Sequence, residues 1–260
     1  ALRPVRSAEL APTFSEYGAA AAHFGARIAR CLLTAPDFDP DDRLLAFLEA
    51  QKPDVLFLCT PNNPTGRTLP RGLLESVLAL AARQGTRVLL DECFLDFTDA
   101  ESAKALLPRY PNLLILKAFT KSYALAGVRV GYCLTADAAL LSAMAACTQP
   151  WNVSLLAQAA GVAALREQDW LARAKEILTC ERAYMTQELT QLGFSVCPSE
   201  ANYLLFSAPV GLDAALLREG IAIRSCANYA GLGAGWYRTA VRLREENEAL
   251  LDAMRRVTEE

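Results

Sequence analysis

The sequence predicts an α/β fold in which a mostly parallel sheet flanked by helices is followed by a smaller C-terminal α+β domain. Short apolar runs alternate with helical patterns through the first half of the chain. These runs are continuously apolar, as expected of strands that are buried on both faces. Beyond Trp151 the pattern changes to two long helices and then short strands. We therefore predict a large domain over residues 1–153 and a small domain over residues 154–260.

Apolar runs and helical periodicity predict the elements of the large domain in order. A helix is predicted over 15–33. Strands are predicted over 55–59, 87–90, 113–116 and 130–134. Residues 71–84 carry apolar side chains at i, i+3, i+4 and i+7 and end at Gly85, which predicts a helix between the first two strands. A strand–helix–strand unit of this length is typical of a parallel sheet.

The small domain begins with two helical patterns and ends with a third. The helices are predicted over 154–166, 170–192 and 245–257, and the strands between them over 194–197, 202–206, 221–224 and 237–242. A glycine-rich segment at 231–235 resembles a dinucleotide-binding loop. Because it does not lead from a strand into a helix, we predict a flexible turn there.

Composition excludes several classes of partner. The chain has 260 residues, of which 53% are hydrophobic and 21% charged, and a net charge of −3. This balance provides no basic surface for nucleic acid. The apolar runs are too short to span a bilayer, and no secretory signal pattern opens the chain, so we expect no membrane partner. Because the chain opens with Ala1 and reads at once like the interior of a domain, we expect that a front segment is missing.

The eight cysteines and the single histidine restrict the chemistry further. No two cysteines form a C-x-x-C pair, and most lie in apolar runs, which predicts buried free thiols in a cytoplasmic protein. His23 alone provides little basis for a zinc site or a histidine-activated nucleophile. We expect no metal, and chemistry that depends on Lys, Arg, Asp and Tyr or on a cofactor.

Three segments carry polar residues directly after predicted strands, where open α/β sheets place their ligands. In 59–66 a Pro-Asn-Asn-Pro turn could aim an asparagine side chain inward, although taken alone a plain turn is favoured. In 89–97 the acidic pair Asp91 and Glu92 follows a hydrophobic strand, so the charge needs a partner. Segment 117–132 holds two of the five lysines, and desolvation makes such a lysine a usable amine nucleophile.

In this order and spacing, the three segments resemble a known family. The patterns N-P-T-G at 63–66, D-E-x-F at 91–94 and T-K-x-x-x-x-x-G-x-R at 120–129 are similar to those of the fold-type I pyridoxal-phosphate enzymes, specifically the class I/II aminotransferase family. The resemblance extends from about Pro12 to Val257. It implies the transferase fold of that family and pyridoxal 5′-phosphate as cofactor.

The resemblance implies a role for each matching residue at the cofactor. Lys121 would bind the cofactor aldehyde covalently and then serve as general acid and base. Asp91 would keep the pyridinium nitrogen protonated, which makes the ring an electron sink, and Asn63 would donate to the phenolic oxygen. The other predicted cofactor contacts are Thr120 and Arg129 at the phosphate, Phe14 stacked on the ring, and Phe94.

The C-terminal half is expected to provide the substrate contacts. Arg238 aligns with the arginine that binds the substrate α-carboxylate in the family, and Asn202 with a residue of the same pocket. Arg224 aligns with an arginine that meets the distal phosphate of phosphorylated substrates. The alternative for Arg238 and Arg242 is a salt bridge on an edge strand.

The family branch is harder to assign. The run 223–242 resembles most the threonine-O-3-phosphate decarboxylases of cobalamin biosynthesis, and Phe94, where related transaminases carry Tyr, points the same way. The alternative is the histidinol-phosphate aminotransferase branch. The two differ in which bond to Cα stands perpendicular to the cofactor ring. Alternatives of another class are an inactive fragment and a non-enzymatic aminotransferase-like module.

Two departures from the family pattern affect these expectations. Ala118 stands where relatives often carry Ser or Thr, which removes a hydroxyl from the phosphate site. The family also begins with an N-terminal arm and a glycine-rich loop at a helix N-terminus that holds the cofactor phosphate, and nothing before Pro12 resembles them. Because the family builds its site across two subunits, a homodimer is expected.

Overall fold

The first sheet has six strands in the order β2-β1-β3-β4-β5-β6, all parallel except β6, which is antiparallel to β5. The computed structural model describes residues 1–259. The elements up to residue 147 are β1 (Arg6–Ala11), α1 (Ser15–His23), β2 (Arg27–Leu32), α2 (Arg43–Gln51), β3 (Val55–Cys59), α3 (Arg71–Gln84), β4 (Arg87–Asp91), β5 (Leu113–Ala118), α4 (Phe119–Ser122), β6 (Gly131–Leu134) and α5 (Ala138–Cys147).

A second sheet of four antiparallel strands in the order β7-β8-β10-β9 follows two long helices. Its elements are α6 (Leu155–Arg166), α7 (Gln168–Gln191), β7 (Ser195–Val196), β8 (Tyr203–Ser207), α8 (Leu212–Arg218), β9 (Arg224–Ser225), β10 (Trp236–Ala240) and α9 (Arg244–Glu259). The predicted fold class is confirmed, since a mostly parallel sheet is joined to a smaller α+β part. The boundary between 153 and 154 stays a prediction.

The predicted helix over 15–33 is wrong in its second half. α1 ends at His23, and Gly25 turns the chain with a φ of +80°, a conformation that glycine adopts without steric cost. The residues that follow form β2, which pairs in parallel with β1 in the register Arg6 to Arg27.

β1 and the helices α2, α4, α5 and α8 were not predicted. The strand predicted over 221–224 is also wrong for most of its length, because only Arg224 and Ser225 pair with β10 and form β9.

α3, in contrast, is confirmed as predicted. Its apolar residues at helical spacing face the core, where Val77 and Leu78 are completely buried. Pro70 precedes its first turn, and Gly85 ends it in the left-handed conformation with φ +74°, a common helix terminator. The helix therefore covers the sheet at the bounds that the periodicity predicts.

Each sheet has its own hydrophobic core. The first core joins β1, β3, β4 and β5 to the helices that cover them, and the second packs α7 and α9 against β8 and β10. Burial of this apolar area is the main stabilising contribution to folding. None of the described helices is both long and apolar enough to cross a bilayer.

Candidate active site

A cavity of about 510 Å³ lies at the carboxyl ends of β3, β4 and β5, on the side where the second sheet approaches. Its wall includes all the predicted cofactor residues and both predicted substrate arginines: Phe14, Asn63, Asp91, Phe94, Thr120, Lys121, Arg129, Arg224 and Arg238. Asn202 lies in a neighbouring cavity of about 300 Å³, which shares Phe94 and Lys121 with the first. The fold therefore brings together residues that are far apart in sequence.

The loop after β3 is a rigid part of the wall. Asn62 is buried and donates to Pro12 O and to Thr65 Oγ1, both at 2.8–2.9 Å. The neighbouring Asn63 is also buried, and its Oδ1 accepts hydrogen bonds from Arg238 Nη1 and, at 3.5 Å, from Tyr229 OH. The loop is more than a plain turn, because one asparagine fixes it and the other lines the cavity.

Gly66 ends this loop in a conformation that requires glycine. Its φ is +73°, and a Cβ there would lie 2.0 Å from the Oγ of Ser199. Any larger residue would therefore push the loop away from the second half of the chain. Close packing against Ser199 thus explains why the N-P-T-G pattern ends in glycine here.

Asp91 is the last residue of β4 and directs a half-buried carboxylate at the cavity. Its Oδ1 accepts from the backbone N–H of Cys93 at 2.9 Å, and its Oδ2 accepts from the hydroxyl of Tyr17 at 2.5 Å. Both donors suit an ionised carboxylate, which can only accept. A fixed negative charge therefore lies at this side of the cavity.

Glu92, the second member of the acidic pair, has a structural position. It is 1% exposed, and its two oxygens accept from Ala103 N at 2.7 Å and Ser102 Oγ at 2.6 Å. Successive side chains of an extended segment point to opposite faces, so the residue next to Asp91 faces away from the cavity. Of the two carboxylates, Asp91 alone contributes to the cavity wall.

The two lysines of segment 117–132 lie in opposite electrostatic environments. The Nζ of Lys117 is 2.6 Å from Asp96 Oδ1 and 3.8 Å from Glu92 Oε2, and its side chain is buried. Lys121 lies on the cavity wall, with Nζ 5.6 Å from the ring centroid of Phe94. The amine of Lys117 is occupied by ion pairs with Asp96 and Glu92, so Lys121, which lies on the cavity wall, is the better placed amine nucleophile.

α4 has a single turn, so neighbouring groups must fix the position of Lys121. Ser122, the next residue, is buried, and its Oγ donates to Asp96 Oδ2 at 2.7 Å. The indole N–H of Trp170 donates to the carbonyl of Ser122 at 2.6 Å. These two hydrogen bonds, one to the side chain and one to the backbone of Ser122, fix the turn that carries Lys121.

Thr120 and Arg129 line the same side of the cavity as Lys121. Arg129 has φ +55° and donates from Nη1 to Ala126 O at 2.9 Å. A left-handed conformation is uncommon for a residue other than glycine and clusters at functional sites. The loop thus places a hydroxyl and a guanidinium where an anionic group can bind.

The two predicted substrate arginines are direct neighbours across the second sheet. Arg224 of β9 is the antiparallel partner of Arg238 of β10, so both side chains project from the same face. Within residues 1–259 neither guanidinium has a carboxylate within 4 Å, whereas Arg242 pairs with Glu246. The edge-strand salt bridge considered for Arg238 and Arg242 is therefore wrong among the described residues, because β10 is an inner strand between β8 and β9 and Arg242 lies after it, where it pairs with a residue of α9.

Asn202 has an unsatisfied acceptor. Its Oδ1 is shielded from solvent and has no hydrogen-bond partner among the described residues. It lies with Arg238 in the wall of the neighbouring cavity. Because an unpaired buried acceptor is costly, a donor on a bound molecule would find a favourable contact there.

Besides Ser15, Glu16 and Ala126, sequence reasoning missed four residues of the cavity wall, namely Tyr17, Cys59, Cys93 and Tyr229. Burial, followed by the charge of Asp91, raises the pKa of both thiols well above its usual value, so they remain protonated. A signal for Tyr17 was available, because it lies three residues after Phe14 on the same helical face. The other three follow strands or lie in loops that carry no such pattern.

The chain matches known proteins over almost all of its length. Residues 9–254 match the family described as aminotransferase class I and II. A threonine-phosphate decarboxylase of Salmonella typhimurium is 40% identical over an alignment of 264 positions, which covers 98% of this chain and 72% of that protein. Histidinol-phosphate aminotransferase 2 of Ralstonia nicotianae is 38% identical over an alignment of 252 positions, which covers 93% of this chain and 65% of that protein.

The fold comparison agrees with the sequence comparison. The crystal structure of the histidinol-phosphate aminotransferase from Clostridium acetobutylicum superposes with a TM-score of 0.92 at 27% identity, covering 98% of this chain and 78% of that one. The chain thus spans about two thirds to three quarters of these relatives. It belongs to the class I and II aminotransferase family of fold-type I enzymes, whose cofactor is pyridoxal 5′-phosphate.

Proposed function

We propose that this chain binds pyridoxal 5′-phosphate at Lys121 and acts on a phosphorylated amino acid, with L-threonine-O-3-phosphate decarboxylation as the reaction. The observation that carries the proposal is the cross-strand pair Arg224 and Arg238, which lines the same cavity as Lys121 without a carboxylate partner in the described chain. Two adjacent positive charges repel each other unless a doubly anionic ligand lies between them.

The residues of the cavity fit the cofactor. Four groups line the same cavity: the amine of Lys121, the carboxylate of Asp91, the amide of Asn63 and the exposed ring of Phe14. The carboxylate of Asp91 is held by two fixed donors. The Oδ1 of Asn63 already accepts from Arg238, so its Nδ2 is the atom that can donate to a phenolic oxygen. Thr120 and Arg129 supply the donors for a phosphate.

When bound, pyridoxal 5′-phosphate supplies an electron sink for the charge left on Cα when one of its bonds breaks. Asp91 would accept the ring N–H and so hold a proton at that nitrogen. Lys121 would hold the cofactor and, once released by substrate, would deliver a proton to Cα. Phe14 would lie against the ring and exclude water from one side.

Two observations favour decarboxylation. The relative at 40% identity is a threonine-phosphate decarboxylase, and Phe94, 5.6 Å from the Nζ of Lys121, lacks the hydroxyl that the related transaminases carry there. In the proposed reaction the bond between Cα and the carboxylate breaks, carbon dioxide leaves, and a proton from Lys121 replaces it. The product would be an aminopropanol phosphate, which fits the cobalamin pathway.

Histidinol-phosphate transamination is the second candidate. The relative from Ralstonia nicotianae at 38% identity and the structure from Clostridium acetobutylicum both carry that name. The same cavity would serve it, because histidinol phosphate also places an amine and a phosphate at opposite ends. The reaction differs in that Cα would lose a proton to Lys121 and the amino group would pass to a keto acid.

The two reactions are separated by offering the purified protein, loaded with pyridoxal 5′-phosphate, O-phosphothreonine with no keto acid present. We expect release of carbon dioxide and aminopropanol phosphate. Turnover that instead requires histidinol phosphate with 2-oxoglutarate, and releases glutamate, would establish the aminotransferase. Absence of both activities would support the alternative hypothesis that this chain is an inactive fragment or a non-enzymatic module.

Substrate selection should depend on Arg224. We expect Arg224→Ala to raise KM for O-phosphothreonine about 30-fold, the effect of losing a charged contact worth ~2 kcal/mol. Binding of threonine, which has no phosphate, should change little. The control is Arg218→Ala, which removes an exposed arginine of α8 that bonds only within its own helix. An equal effect of Arg224→Ala on both substrates would contradict this role.

We also propose that the protein works as a cytoplasmic homodimer divided into domains near residue 153. The support for a partner surface is a set of large apolar side chains that are more than half exposed between residues 151 and 165: Trp151, Leu155, Leu156, Val162 and Leu165. Apolar patches of this kind mark interaction surfaces. All eight cysteines are free, as expected in a reducing compartment, although the prediction that they are buried is wrong for Cys147 and Cys180, which are exposed.

A further inference from the structure

A short hydrogen bond joins a tyrosine to the carboxylate that faces the cavity. The hydroxyl of Tyr17 donates to Oδ2 of Asp91 at 2.5 Å, across 74 residues of sequence. Tyr17 is 7% exposed, so this bond lies where water competes poorly and a charge-assisted contact is strong. Nothing in the proposed reaction uses this hydroxyl.

Two aromatic rings hold Tyr17 in place. Its ring stacks on Phe57 of β3, with centroids 5.5 Å apart and planes 7° from parallel, and meets Phe14 edge to face at 5.6 Å. A ring held on two sides has little freedom to turn. The hydroxyl of Tyr17 is therefore held in one position, beside the carboxylate of Asp91.

The second oxygen of Asp91 has its own fixed donor. Oδ1 accepts from the backbone N–H of Cys93 at 2.9 Å, and the backbone cannot move without disturbing the chain after β4. With one donor on each oxygen, rotation of the carboxylate about its last bond would break both hydrogen bonds. The plane of the carboxylate is thereby fixed, and each oxygen keeps a further lone pair for a ligand.

The surroundings of Tyr17 favour its neutral, donating form. Burial, followed by the nearby Cys59 and Asp91, raises the pKa of its hydroxyl far above the usual value. The hydroxyl therefore does not ionise beside the carboxylate. The contact is a hydrogen bond from a neutral donor to a charged acceptor throughout the neutral and alkaline range.

We infer that Tyr17 is a positioning residue, which orients the carboxylate of Asp91 to receive the ring N–H of pyridoxal 5′-phosphate. This inference rests on the proposed function, since it requires the cofactor to bind with its nitrogen at Asp91. The hydrogen bond joins two groups of the chain itself, and the stacked rings fix its donor. It therefore reduces the cost of ordering the acceptor on binding.

The test is the dissociation constant of pyridoxal 5′-phosphate for the cofactor-free protein, measured by equilibrium dialysis, and not activity. We expect Tyr17→Phe to weaken binding roughly tenfold, as expected for one lost hydrogen bond to a charged group. The control Tyr237→Phe removes a buried hydroxyl that accepts from Gly211 N and lies in the second core. It should leave cofactor affinity unchanged.

A double-mutant cycle separates positioning from a general loss of structure. If Tyr17 acts through Asp91, Tyr17→Phe should have no further effect on cofactor affinity in a protein that already carries Asp91→Asn. The 1-deaza analogue of the cofactor, which has C–H in place of the ring nitrogen, should bind equally well to the unmodified protein and to Tyr17→Phe. Additive losses in the cycle, or an equal loss with the analogue, would overturn the inference.

The proposed function and the role of Tyr17 fail in different ways. If the unmodified protein does not bind pyridoxal 5′-phosphate, both are overturned. If it binds normally and Tyr17→Phe binds equally well, only the role of Tyr17 is overturned. If Tyr17→Phe folds poorly, Phe57→Leu is the second variant, because it keeps the hydroxyl of Tyr17 but removes the ring stacked on it. We expect a smaller loss of cofactor affinity in this variant, and no loss when Asp91→Asn is already present. An unchanged affinity would again count against the inference.

Discussion

Lys121→Ala is expected to reduce turnover of O-phosphothreonine by roughly 10⁴-fold, the upper end of what a positioned acid–base group contributes. The same amine would hold the cofactor and move the proton at Cα, so no other group in the cavity replaces it. Lys117 cannot substitute, because its Nζ is bound to Asp96 at 2.6 Å. The measurement is steady-state turnover together with the visible absorbance of bound cofactor, which should lose the band of the lysine-bound form.

Lys117→Arg is the matched control for this variant. Arginine keeps the positive charge that Asp96 and Glu92 require, but it cannot bind an aldehyde as lysine does. We expect turnover within a few-fold of the unmodified protein. Near-normal turnover in Lys121→Ala, with loss in Lys117→Arg, would exchange the roles of the two lysines.

Asp91→Asn is expected to lower turnover at least ~10²-fold, or roughly 2.7 kcal/mol of transition-state stabilisation. Asparagine preserves the shape: its Oδ1 can still accept from the backbone N–H of Cys93, and its Nδ2 would then donate to the hydroxyl of Tyr17. It removes the negative charge that would keep a proton on the ring nitrogen. The fold should be retained, which circular dichroism and thermal unfolding would verify beside the kinetic measurement.

Glu92→Gln distinguishes the two members of the acidic pair. Because Glu92 is buried against Ser102, Ala103 and Lys117, the change should lower the free energy of unfolding. It should leave turnover within a few-fold, since this side chain does not reach the cavity. Full activity in Asp91→Asn, with loss in Glu92→Gln, would assign the ring nitrogen to the other carboxylate.

Most of the fold could be predicted because its strands and helices differ in the spacing of their apolar residues and in the residues that end them. β3 is confirmed over 55–59 and α3 over 71–84, since continuous apolar runs and i, i+3, i+4 spacing describe them unambiguously. The helix predicted over 15–33 failed because Arg27 and Arg30 lie three residues apart with apolar residues between them, a spacing that is also typical of a helix. Residues 27–32 form a strand because they pair with β1, which is a contact between elements that the local sequence does not show.

The cavity residues could be predicted from motif order, but their pairings could not. Nothing local to Arg224 indicates that it stands opposite Arg238, since that register depends on the packing of β9 against β10. The bond between Tyr17 and Asp91 likewise joins α1 to the end of β4. Sequence patterns identify side chains with suitable chemistry, whereas tertiary contacts determine which of them share a charge or a proton.

The most direct test of the central claim is where the cofactor becomes attached. The protein loaded with pyridoxal 5′-phosphate is reduced with borohydride, digested, and sequenced by tandem mass spectrometry. We expect the visible band to disappear and the phosphopyridoxyl label to be found on Lys121, whose amine faces the cavity. A label on Lys117 or on another lysine, or no label at all, would contradict the assignment of this cavity as the cofactor site.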